Sequence, residues 1–189
     1  MKKNTEIRIA GFGGQGIILA GYIIGKAAAI YDGKFSTLIQ SFGPEARGSS
    51  CSAQVIISES QILYPYLIQP NIAILLSRDA YDKFSQEVED SGIMLIEKDL
   101  VQPKDKNKKS KIYAIPATRL AEEMGRKIVT NIIMVGFFSA ITKITSYEAT
   151  RQAVSSSVPP GTEELNLNAF ETGYQYGKKL LESPRKSVA

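Results

Sequence analysis

Short apolar runs alternate with longer apolar stripes along this chain, and glycine, proline or a charged stretch marks nearly every change between them. Residues 7–10 (Ile-Arg-Ile-Ala) read as a β-strand, and residues 17–29 are long and apolar enough for a buried helix. A second strand is expected over residues 35–39, after the Asp32-Gly33 break. Residues 40–50 then read as a loop, with a Gly43-Pro44 breaker and a further glycine at position 48. A third strand alternates through residues 51–57, and residues 62–65 read as a short edge strand stopped by Pro65. Residues 72–76 are continuously apolar, the pattern of a central strand buried on both faces. Ser77 is placed to cap a helix that begins near Asp79 and carries Tyr81 and Phe84, and residues 93–96 and 112–115 supply two more strands.

The last third is helical. Thr118 is expected to cap a short helix through Glu122 and Met124, and residues 131–141, almost wholly apolar around Gly136, form a buried one. Thr145-Ser146-Tyr147-Glu148 has the form of a capping box, starting a helix that ends before Pro159-Pro160-Gly161. Leu167, Phe170, Tyr174, Gly177 and Leu181 recur at helical spacing on a final helix. This order predicts the α/β class: a three-layer α/β/α domain over residues 1–183 with a mainly parallel sheet and a Rossmann-like first β-turn-α unit. An antiparallel excursion is expected between Ser41 and Tyr64, and residues 184–189 read as a flexible tail.

Composition narrows the chemistry. The 189 residues, 43% hydrophobic and 22% charged, suit one globular domain with a substantial core. The apolar run around residues 17–30 contains Gly21, Gly25 and Lys26, so it reads as a buried helix rather than a membrane span. No cleavable leader is evident, and the expected location is the cytoplasm. The chain has no histidine, which excludes histidine acid–base catalysis and histidine-ligated metal. Its one cysteine, Cys51, can form neither an iron–sulfur cluster site nor a redox pair and reads as a small core residue. The net charge of +4 owes much to Lys104, Lys106, Lys108, Lys109 and Lys111. Without interleaved aromatics that block reads as a solvated loop, not a nucleic-acid surface.

Two loops carry candidate chemistry. Gly11-Phe12-Gly13-Gly14-Gln15-Gly16 lies at the first strand-to-helix turn, where unpaired N–H groups and the positive helix end can cradle an anion. The same glycines also serve a tight turn with close helix–sheet packing, and the hexapeptide alone does not choose. Its Gly-x-Gly-x-x-Gly spacing raises a dinucleotide site, but Gln40 and Ser41 stand where that fold places a ribose-gripping acid. In the second loop, Arg47 has the chemistry to hold a carboxylate or phosphate with Glu45 orienting it; equally, the two can pair with each other.

Taken together, Gly11 to Gly16 with the following Ile-Ile-Leu-Ala-Gly, and then Gln40-Ser41-Phe42-Gly43-Pro44-Glu45-Ala46-Arg47-Gly48, resemble the gamma subunit of 2-oxoacid:ferredoxin oxidoreductases. Residues 62–65, 70–77, Ala80-Tyr81, Asn131 with Gly136, and residues 166–177 match in the same order, so the resemblance covers about residues 6–180. It is strongest to the separate gamma chain of the 2-oxoglutarate branch, although pyruvate, branched-chain and indolepyruvate relatives share both loops. The resemblance implies oxidative decarboxylation of a 2-oxoacid with coenzyme A, giving acyl-coenzyme A, carbon dioxide and electrons for ferredoxin or flavodoxin. Thiamine diphosphate and iron–sulfur clusters are then expected on partner subunits of alpha, beta and delta type, this chain being inactive alone. By the same resemblance, Gly11, Gly13, Gly14, Gln15 and Gly16 are candidates for coenzyme A contact. Ser41, Gly43, Pro44, Glu45, Arg47 and Gly48 are candidates for lining a shared interface. No residue is assigned as acid, base, nucleophile or metal ligand. The competing readings are an assembly module without ligand contact and a free-standing nucleotide-binding reductase.

Overall fold

The structure is a computed structural model that describes residues 4–43, 50–103 and 109–183. In chain order its elements are β1 (Thr5–Phe12), α1 (Ile17–Lys26), β2 (Phe35–Phe42), β3 (Ser50–Ser58), β4 (Ile72–Leu75), α2 (Arg78–Phe84) and β5 (Ile93–Glu97). Then come β6 (Lys111–Ile115), α3 (Ala117–Glu123), α4 (Thr130–Thr142), α5 (Tyr147–Ser155) and α6 (Glu163–Glu182). The six strands form one sheet in the order β2-β3-β1-β4-β5-β6. The β1–β4, β4–β5 and β5–β6 pairs are parallel, whereas β3 runs antiparallel to both β1 and β2. The expected mainly parallel sheet with an antiparallel excursion is therefore present.

Alternation along β1 divides the core. Ile7 and Ile9 face a large cluster with Ala53, Val55 and Ile57 of β3 and the inner sides of α1 and α3 to α6. Ala10, Ala73, Leu75, Met94 and Ile96 face a smaller cluster closed by Tyr81 and Phe84 of α2. Three layers result, but unequally: five helices lie on one face and α2 on the other. Burial of β4 on both faces explains its unbroken apolar run.

The tightest helix contact is between α4 and α6. A Cβ on Gly136 would meet the Phe170 carbonyl oxygen, and one on Gly173 would meet the Ile133 carbonyl oxygen. The two backbones touch, which only glycine at both positions permits. Near the other end of α4 the contact passes to side chains: a Cβ on Gly177 would stand 2.8 Å from Ala140 Cβ. This seam carries the almost wholly buried α4 into the centre of the molecule.

Several local expectations need correction. Residues 62–65 are not a strand: they join neither open edge of the sheet, β2 or β6, and the backbone that follows at 67–69 is bonded to the Gln54 and Glu6 side chains instead of to a ladder. The α5 cap is Ser146 rather than Thr145; its Oγ accepts from the Ala149 N–H at 3.2 Å, while Thr145 is buried against Thr150 Oγ1. Pro116, not Thr118, precedes α3, and the Thr118 N–H is bound by Glu97 instead. β2 runs on to Phe42, so Gln40 and Ser41 belong to a strand rather than a loop. Lys104, Lys106, Lys108 and the 184–189 tail lie outside the described residues; Lys109 is exposed and Lys111 opens β6.

Candidate functional site

β1 ends at Phe12 and α1 starts at Ile17, leaving residues 13–16 to turn the chain over the sheet edge. Gly14 (φ 97°) and Gly16 (φ 70°) are left-handed, a region that costs a side-chain-bearing residue about 1–2 kcal/mol. Gly14 is exposed, with nothing within 4 Å of where a Cβ would stand. Gly16 is the N-cap of α1, without a side-chain cap, and no acidic residue occupies the first turn. The positive end of the helix thus has no side-chain neutralisation of its own.

Gly11 does a different job. It lies inside β1, and a Cβ there would strike Gln15 Oε1 and approach Ile17 Cδ1 to 2.8 Å. The glycine makes room for Gln15, whose side chain is built into the fold. Its Oε1 accepts from the Phe12 N–H at 2.7 Å, and its Nε2 donates to the Leu76 carbonyl at 3.1 Å. Asn131, 3% exposed in the first turn of α4, donates from Nδ2 to the Gly16 carbonyl at 3.2 Å. Asn131 is not among the residues that the sequence assigns to the site. A lone amide in an apolar helix was the available signal, yet only the α1–α4 contact reveals what it does.

The second loop leaves the same edge of the sheet. Phe12 lies opposite Ser50, while Cys51 pairs with Gly11 on one side and Phe42 on the other. Because β3 reverses between them, β1 and β2 point the same way, and the two glycine-containing loops emerge two strands apart. Ser41 is exposed and pairs with Ser52, and the Gly43 N–H donates to the Ser50 carbonyl at 2.9 Å, closing the hairpin. Pro44, Glu45, Arg47 and Gly48 lie outside the described residues. β1 has antiparallel β3 on one side and parallel β4 on the other, and β4 runs out into Leu76 and Ser77 rather than an acid, so the ribose grip of a dinucleotide fold has no counterpart at either neighbour.

Two titratable groups border this edge. Cys51 is buried, and burial pushes its thiol pKa up, away from reactivity. Glu97, at the end of β5, is fully buried, and burial raises its carboxyl pKa. Its Oε2 accepts from the Asp99 and Leu100 N–H groups at 3.0 and 2.7 Å, and its Oε1 from Thr118 at 3.3 Å. Glu97 holds a turn to the start of α3 and faces no open site. The arrangement can receive an anion at the first turn, but among the described residues it sets up no acid–base pair and no nucleophile. Among the described residues no cluster of His, Cys, Asp or Glu has the makings of a metal site.

Residues 6–176 match the family model described as pyruvate ferredoxin/flavodoxin oxidoreductase. The chain belongs to this family. It is 47% identical over 183 residues to the 2-oxoglutarate synthase subunit KorC of Methanocaldococcus jannaschii, covering 95% of this chain and 97% of that one. A solved gamma subunit of a keto/oxoacid ferredoxin oxidoreductase from Geobacter sulfurreducens superposes with a TM-score of 0.82 at 39% identity, over 95% of this chain and 99% of that one. Longer proteins contain the same fold as a part. The ketoisovalerate oxidoreductase subunit VorA of Methanothermobacter marburgensis is 30% identical over 95% of this chain, which spans 38% of VorA. A 2-oxoglutarate:ferredoxin oxidoreductase from Magnetococcus marinus, solved with 2-oxoglutarate, coenzyme A and succinyl-CoA, shares the fold at TM-score 0.87 and 23% identity; this chain spans 33% of it. The family's members are parts of an oxidoreductase, and this chain is a subunit of such an enzyme.

Proposed function

We propose that this chain is the gamma subunit of a 2-oxoglutarate oxidoreductase, contributing to coenzyme A binding and to closure of the active site. The observation that carries the reading is the 47% identity, along nearly the full length of both chains, with a 2-oxoglutarate synthase subunit. The reaction is oxidative decarboxylation of 2-oxoglutarate with coenzyme A, giving succinyl-CoA, carbon dioxide and two electrons for ferredoxin or flavodoxin in the cytoplasm.

The chain's own residues suit a part of that work. At the first turn, Gly14 leaves the backbone ahead of α1 approachable, Gly16 makes room for Asn131, and no carboxylate stands in the first turn of the helix, which favours a phosphate of coenzyme A. Gln15 and Asn131 hold that turn in shape by bonding to β4 and to Gly16. Gly11 and Gly13 complete it. Ser41 and Gly43 stand at the neighbouring rim toward partner chains, and Pro44, Glu45, Arg47 and Gly48 are assigned to the same contact from the sequence alone.

Iron–sulfur clusters do not fit this chain, because its single cysteine is buried in β3. A thiamine diphosphate site does not fit either. The Asp32-Gly33 pair lacks the preceding glycine, and the Asp32 carboxylate is engaged by the Ser146 N–H and Oγ at 2.8 and 2.7 Å. Both cofactors are therefore assigned to alpha, beta and delta-type partners. A second reading, an assembly module without ligand contact, draws on one observation: the Gln15 amide is already bonded to the protein at both ends.

The test is reconstitution. The chain co-expressed with thiamine- and cluster-bearing chains should give coenzyme A-dependent reduction of a viologen dye by 2-oxoglutarate, and the complex without this chain should not. Equal turnover with and without it sinks the proposal. Activity with pyruvate or a branched-chain oxoacid in place of 2-oxoglutarate corrects the substrate.

A further inference from the structure

Between β3 and β4 the chain crosses the sheet face left bare by α2 as an irregular arm, residues 59–71. Past Glu59 at its start it contains no charged residue. Leu63 and Ile68 are 88% and 83% exposed, Tyr64 and Tyr66 stand out beside them with rings 5.5 Å apart, and Phe35, opposite Ser58, is also exposed. These side chains are displayed rather than loose, because the backbone beneath is pinned. Glu6 Oε2 accepts from the Ile68 and Gln69 N–H groups at 2.7 and 2.9 Å, and Gln54 Oε1 accepts from Leu67 at 3.2 Å. Asn71 Oδ1 in turn accepts from the Glu6 N–H at 2.7 Å. Leu63, Tyr64, Tyr66 and Ile68 border a hollow of about 300 Å³ floored by Ile56.

We propose that this arm is the seat of a catalytic chain of the same oxidoreductase, the chain corresponding to the extra length of the longer relatives. The proposal rests on the functional reading above. Its support is the relation between chain length and surface. In VorA the domain is about a third of one polypeptide, so there it has a permanent covalent neighbour; in KorC, 97% of which this chain matches, the domain makes up nearly the whole subunit, and a neighbouring subunit is held without a covalent bond. The arm has the character of an interface centre: uncharged, with tyrosines around aliphatic anchors. Its pinned backbone lowers the ordering cost of binding. Ile128 is 80% exposed too, but it stands in the short turn before α4 outside this cluster, and it serves as the control.

The experiment uses the full chain co-expressed with the alpha, beta and delta-type chains. Leu63→Asp and Ile68→Asp should each reduce the chain recovered in the complex about tenfold, the loss of one interface anchor, while Ile128→Asp should leave it unchanged. Both arm positions face solvent, and the isolated variants should keep the unfolding midpoint of the parent chain. A photocrosslinker in place of Leu63 should join this chain to one of the catalytic chains. Undiminished assembly of both aspartate variants overturns the proposal, as does a crosslink solely to a second copy of this chain. If the unaltered chain itself recruits no catalytic chain, the functional reading fails, a result distinct from failure of the arm alone.

Discussion

Gln15 Nε2 donates to the Leu76 carbonyl at 3.1 Å, so the turn after β1 is tied to the end of β4 by the side chain that seemed best placed to touch a ligand. The amide acts as a strut between two parallel strands, and the backbone around it is left to do any binding.

Gln15→Ala should therefore lower stability by about 1–3 kcal/mol, since the Phe12 N–H loses its acceptor at a part-buried site. Urea unfolding of the isolated chain measures this. An unchanged midpoint would mean that the strut does not matter.

Gly14→Asp adds a negative group in open space at the positive end of α1. In the reconstituted enzyme it should raise KM for coenzyme A about tenfold, on the scale of one lost charge-assisted contact, and leave KM for the 2-oxoacid unaltered. Steady-state kinetics with each substrate varied in turn separates the two. Equal effects on both would point to general damage, and no effect on either would support the assembly-module reading.

Gly173→Ala should force α4 and α6 apart, because the added methyl meets the Ile133 carbonyl. Overpacking of this kind costs about 1–3 kcal/mol. A thermal melt reads the loss, and Gly14→Ala, in open space but with positive φ, should cost less.

Glu97 predicts a pH dependence. Its carboxyl pKa is raised in the fold above the ordinary 4.5, so the native state holds the proton over a window where the unfolded chain has released it. The stability this group supplies is complete below that window and declines as pH rises through it. Glu97→Gln should remove the slope. It should also lower stability throughout, since one oxygen then replaces two that together accept three N–H bonds. Chemical denaturation at a series of pH values from 4.5 upward tests both parts.

Much of this molecule was legible before any coordinates. The apolar blocks at 72–76, 93–96 and 131–141 are buried as their composition requires, since burial on all sides leaves a continuous apolar run. Ser77 caps α2 as expected, its Oγ accepting from the Ala80 N–H, because capping is a contact within three residues. The arm at 62–65 differs from its expected strand because pairing depends on where the chain is carried in space, and here long-range bonds from Glu6 and Gln54 hold it away from either sheet edge.

The sequence by itself determined the α/β class, the strand-to-helix glycine turn, the family, and the absence of cluster and histidine chemistry, all of which depend on residue identity or short-range spacing. Only the tertiary structure decided that β3 reverses between β1 and β2, bringing both glycine-containing loops to one edge. It alone also decided that Gln15 reaches Leu76, that Asn131 reaches Gly16 across 115 residues, and that Leu63 and Ile68 are left bare. The physical reason is the same in each case. These are contacts between segments far apart in the chain, and their free energy depends on which faces meet, a property that no single segment carries.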